Sequence, residues 1–168
     1  MSLELRHRLL KIAESQVGTT EKGRNTGRKV REYQAATNLA RTGWPWCAAF
    51  VCWAIREWGK DPEVLAALKM SPAKFESWRP KTAAAFGFID WAKSKGLRIL
   101  SDDADEVLHD GDIMVFDMSH VGLVRTDSGN TIYTTEGNTG ATGGRDGDGV
   151  WSKTRQRREA RCFIRILP

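Results

Sequence analysis

Gly111–Glu136 reads GDIMVFDMSHVGLVRTDSGNTIYTTE, and this stretch decides the fold class. Three short runs lie within it: Ile113–Phe116, Val121–Thr126 and Thr131–Glu136. They are β-branched or aromatic and are bounded by Gly, Asp, Asn and Ser, the signature of strands joined by tight turns. The connections are too short for parallel crossovers, so the strands are expected to run antiparallel. Val150–Thr154 and Cys162–Ile166 extend the same texture downstream. Upstream of Gly96 the pattern is helical. Leu9, Ile12, Ala13 and Val17 keep helical spacing up to Gly18, and Val30, Tyr33 and Thr37 suggest a second helix ending near Asn38. Cys47, Phe50, Val51, Ala54, Ile55 and Trp58 define a third, with Gly59 as its stop. One or two more are expected between Pro62 and Gly96, the last carrying Phe86, Ile89 and Ala92. Helices first and strands second predict an α+β fold, N-terminal helices packed on a C-terminal antiparallel β-sheet.

Composition narrows the class. The 168 residues, 40% hydrophobic and 28% charged, are enough for one hydrophobic core. With no repeat, low-complexity tract or linker, 1–168 reads as a single domain without a separate second module. The apolar stretch Gly43–Ile55 is far too short to span a bilayer, so no membrane insertion is expected. The N-terminus mixes charges through its apolar positions like an amphipathic helix, which predicts a product made in the cytoplasm without a signal peptide. Three cysteines do not make a disulfide framework, so each is either core or chemistry. The net charge of +5 is accompanied by a C-terminal group of cations: Lys153, Arg155, Arg157, Arg158, Arg161 and Arg165. They read as a solvated strand-and-turn face, or as an attraction for anionic envelope polymers. Aromatic interleaving of the kind used for single-stranded nucleic acid is absent from the run, and no nucleic-acid partner is expected.

Cys47 opens the strongest helix, just after Pro45. Unpaired amides there favour an anion at the sulfur and can hold an oxyanion formed on a substrate carbonyl. From position alone it reads equally as the first small apolar residue of a buried stripe. His120 opens a strand and shares a face with Gly122 and Val124, and a glycine beside an imidazole leaves space for a second group. Glu136, at the end of the next strand, can accept the imidazole N–H, as the orienting member of a triad does. Asn138 could do the same without charge, or serve as a turn residue. His7 and His109 read as surface residues, and Cys52 and Cys162 as structural. Trp44 and Trp46 either line a substrate groove or pack in the core.

In sequence, GWPWCAAFVCWAIREWG (43–59) resembles the nucleophile helix of the cysteine, histidine-dependent amidohydrolase/peptidase (CHAP) family. GDIMVFDMSHVGLV (111–124) resembles that family's histidine hairpin, and YTTEGNTG (133–140) its Glu-x-Asn segment. NTGRKVREYQ (25–34) and GDGVWSKTR (147–155) are similar to segments of phage and prophage members. The likeness runs from about Leu9 to Ile166. It implies a papain-like fold with Cys47 as nucleophile, His120 as base, Glu136 as orienting carboxylate and Asn138 in support. The implied substrate is bacterial peptidoglycan, cut at the N-acetylmuramoyl-L-alanine amide or within the peptide stem or cross-bridge. The implied setting is an endolysin acting as a monomer on the cell wall; an antibacterial toxin would share the chemistry, and a non-catalytic wall-binding module is the alternative. Two features depart from the pattern. Trp46 stands where many members carry glutamine, leaving the second oxyanion donor open. EKGRNTGRKV (21–30) has too few carboxylates for the calcium loop of some members, and Asp146–Gly149 reads as a turn, so neither metal nor cofactor is expected.

Overall fold

The computed structural model describes residues 2–103, 105–140 and 147–167. Among the described residues six α-helices precede every strand of the sheet: α1 (Ser2–Glu14), α2 (Arg28–Gln34), α3 (Cys47–Trp58), α4 (Pro62–Ala67), α5 (Pro72–Trp78) and α6 (Gly87–Ser94). The strands are β1 (Arg98–Leu100), β2 (Ile113–Phe116), β3 (Val121–Ser128), β4 (Thr131–Thr139), β5 (Gly149–Gln156) and β6 (Ala160–Arg165). Among the described residues they form one antiparallel sheet in the order β1-β6-β2-β3-β4-β5. The α+β architecture is the one expected.

Burial explains the patterns. Every residue from Cys47 to Ile55 is buried, so α3 is apolar nearly all round and forms the middle of the molecule. It packs on β3 and β4 on one side and on α1 and α2 on the other. Trp58 Nε1 donates to the Leu5 carbonyl at 2.9 Å and pins the end of α3 to α1. Strands β2 and β6 lie between two apolar layers. Ile113, Val115 and Ile164 face the helices, whereas Met114, Phe116 and Phe163 join a second cluster on the opposite face. A sheet covered on both faces reads as a continuous apolar run, as IMVF does.

Several boundaries differ from expectation. α2 stops at Gln34, and turns carry the chain through Thr37. Three helices, rather than one or two, occupy 62–96. Asp61 and Ser71 cap α4 and α5 through their side chains, with proline at the first helical position of each. Strand β1, three residues long, is additional. Gly59 does not end α3 in a left-handed conformation. It is glycine because a Cβ there would lie 1.8 Å from the Phe75 ring.

The C-terminal cations do not form one exposed face. Lys153, Arg155 and Arg165 are buried. Arg155 pairs with Glu136, Arg165 with Asp112 and Glu106, and Arg157 with Asp127. Arg161 stacks on Phe86 at 4.4 Å. Alternation on β5 and β6 turns half of these cations inward, where burial requires a partner for each charge. No helix among the described residues is long and apolar enough to cross a membrane.

Candidate active site

Three elements converge beside the first turn of α3. The helix brings Cys47, the turn between β2 and β3 brings His120, and β4 brings Glu136. Cys47 is 7% exposed, while His120 and Glu136 are fully buried. Trp46 is the N-cap of α3 and makes no side-chain capping bond, so no side chain caps the first-turn amides beside the Cys47 sulfur.

His120 is held on both sides. Its carbonyl accepts from Phe116 N at 3.0 Å, and its ring meets Phe116 at a centroid separation of 5.2 Å. Nε2 donates to Glu136 Oε2 at 2.7 Å. That contact fixes the ring and leaves Nδ1, which is buried without a hydrogen bond, as the nitrogen available to the Cys47 sulfur. Burial alone pushes the imidazole down. Cys47 and Glu136 outweigh it and raise the group to about 9, so the arrangement favours an imidazolium beside the Cys47 sulfur.

Glu136 is the most heavily bonded group of the site. Arg155, on β5, reaches it with two arms, Nε to Oε1 at 2.8 Å and Nη2 to Oε2 at 2.6 Å. Thr134 Oγ1 donates to Oε1 as well. Burial pushes the carboxyl up, but hydrogen bonds from Arg155 and His120 more than offset it and hold it at about 2. The carboxylate is therefore ionised throughout the neutral range. The sequence marks Arg155 only as one of six C-terminal cations. Its two-residue spacing from Lys153, which puts both on one strand face, is the available signal, and its partner lies on a different strand.

The other expected site residues divide. Asn138 lies at the β4–β5 register shift with a left-handed backbone, φ 52°, and its side chain makes no hydrogen bond to His120. It instead lines a cleft of about 810 Å³ together with Trp44, Pro45, Glu21, Arg24 and Asp148. Trp44 is half-buried on this wall. Trp46 is corrected to the core: it is fully buried, stacks on Tyr33 at 5.5 Å and donates Nε1 to Glu21 Oε2 at 3.0 Å. A fully buried indole whose one N–H is engaged cannot line the groove or serve as an oxyanion donor. Cys52 is fully buried and its thiol is pushed up to about 12; burial raises Cys162 as well. Among the described residues no group of three or more His, Cys, Asp or Glu could hold a metal. Asp146 lies outside the described residues, while Asp148 accepts from Trp151 Nε1 at 3.3 Å.

The family model for the CHAP domain matches residues 39–138, which include Cys47, His120, Glu136 and Asn138. The chain belongs to the CHAP domain family. Its fold is therefore papain-like, and it falls in the peptidoglycan amidase/peptidase class of hydrolases. Strands β5 and β6, with Arg155, lie beyond the matched segment of this CHAP protein. No curated protein matches the sequence.

Proposed function

We propose that the protein hydrolyses an amide bond of bacterial peptidoglycan by thiol catalysis, with Cys47 as nucleophile, His120 as acid and base, and Glu136 as the group that orients His120. The observation that supports this most is the polarised line from the α3 N-terminus through His120 to Glu136. It supplies a nucleophile, a proton carrier and a fixed counter-charge in that order. The Cys47 thiolate attacks the carbonyl carbon, and the first-turn amides of α3 receive the developing oxyanion. His120 then gives its Nδ1 proton to the departing amine, leaving an acyl thioester. Water attacks the thioester as His120 takes a proton from it, and release of the carboxylic acid restores the thiolate and imidazolium.

Asn138 and Trp44 face the cleft and are proposed to contact the substrate rather than the histidine. The bond cut is either the muramoyl–alanine amide or one in the stem or cross-bridge, since both release an amine. The resemblance of the flanking segments to phage and prophage members supports a lysin acting on the cell wall.

Release of new primary amines from purified sacculi tests the reaction. Wild-type protein is expected to release them, and Cys47→Ser is expected to lose at least about a hundredfold in rate, in keeping with loss of the attacking group. Iodoacetamide should label Cys47 well before Cys52 and Cys162 at neutral pH. Amine release by the Ser variant at the wild-type rate would overturn the proposal.

A further inference from the structure

We propose that Arg155 is a positioning residue of the reaction: it fixes both oxygens of Glu136 and, through that carboxylate, the ring of His120. The inference rests on the thiol mechanism above and adds to it a residue from outside the matched family segment. A carboxylate at the end of a strand can rotate about its last torsion, and one hydrogen bond to an imidazole does not prevent this. The planar guanidinium of Arg155 removes that freedom because it meets the two oxygens with two separate donors, at 2.8 and 2.6 Å. The guanidinium is itself placed, lying over the Phe116 ring at 5.0 Å, and the same ring borders His120.

Charge supports the same role. Glu136 and Arg155 are both buried, so either charge without the other would be heavily penalised. The groups facing Glu136 are Arg155 and Lys153 from β5, His120 from the β2–β3 turn and Thr134 from its own strand. Cys47 on α3 lies behind His120, and Glu159 lies 3.8 Å from Arg155 Nη1. Imidazolium, carboxylate and guanidinium then alternate in sign behind the Cys47 sulfur. Without Arg155, the burial that pushes the Glu136 carboxyl up is opposed mainly by His120, and the carboxylate takes a proton at higher pH.

The test compares Arg155→Met, Arg155→Lys, Glu136→Gln and the Arg155→Met/Glu136→Gln double variant. Readouts are amine release from sacculi and the rate of Cys47 alkylation, each as a function of pH. Arg155→Met is expected to lower kcat by roughly 10- to 100-fold, the range for groups acting through a catalytic ligand. It should also move the acid limb of both profiles to higher pH, because Glu136 then takes its proton sooner. Arg155→Lys keeps the charge without the fork and should recover part of the rate with little change in limb. The double variant removes both buried charges, which favours folding, and should be no slower than Glu136→Gln alone. Independent, multiplying losses in the double variant, or an Arg155→Met profile that keeps the wild-type shape, would overturn the proposal. A wild-type rate for Cys47→Ser would instead sink the thiol mechanism itself, so the two failures are distinguishable.

Discussion

A methyl group at position 122 has nowhere to go. A Cβ built on Gly122 lies 2.6 Å from Glu136 Cγ and 3.2 Å from the Thr135 carbonyl. Glu136 cannot yield cheaply at Cγ, because its carboxylate is tied to His120, Arg155 and Thr134. Gly122→Ala is therefore expected to displace the carboxylate from Nε2 and to strain β3 against β4. Amine release from sacculi should fall well below wild type, and thermal unfolding should show a loss of about 1–3 kcal/mol, as overpacking gives. An alanine variant with wild-type rate and melting temperature would mean that the close approach carries no function. The spacing of His120 and Gly122 signalled in the sequence that a second group approaches the imidazole, and Glu136 is that group. The partner of Glu136 was not legible, because no pattern on β5 tells which inward cation meets a carboxylate on β4.

At the scale of elements, the site depends on how closely α3 lies on β4. Gly137 makes the approach possible: a Cβ there would fall 2.6 Å from Phe50 Cβ and 2.7 Å from its Cγ. Gly137→Ala should push α3 outward and separate Cys47, on α3, from Glu136 and the histidine it holds. The expected cost is again about 1–3 kcal/mol, or roughly 2–12 °C in melting temperature for a domain of this size. Slower alkylation of Cys47 should accompany it, and unchanged alkylation with a lowered Tm would confine the effect to stability. α3 was legible because its apolar spacing continues for twelve residues. α4 and α5 are six and seven residues long and show little periodicity. Their signal was the Asp61-Pro62 and Ser71-Pro72 pairs, a cap followed by proline at the first helical position. β1 has three residues at a sheet edge and carries almost no pattern of its own.

For the whole molecule, the charges buried at the site set a pH window for stability. Glu136 is depressed from 4.5 to about 2, so its contribution is present above pH 4.5 and is lost as pH falls toward 2. His120 is raised from 6.5 to about 9, so its contribution is present below pH 6.5 and is lost as pH rises through 9. Together they favour a maximum of Tm between about pH 4.5 and 6.5. Asp112 works against the acid limb, because burial raises its carboxyl despite Arg165. Comparison with Glu136→Gln isolates the site: its Tm should fall less steeply than wild type below pH 4.5, and parallel curves would contradict the assignment. The sequence by itself determined the α+β class, the central helix, the hairpin of His120 and the order of the three chemical groups. These rest on periodicity and turn residues, which act over a few neighbours along the chain. Only the tertiary structure decided that Trp46 is core, that half of the C-terminal cations are internal, and that Arg155 pairs with Glu136. Strand register and helix docking bring residues far apart in the chain together, and a buried charge takes its meaning from the partner they place beside it.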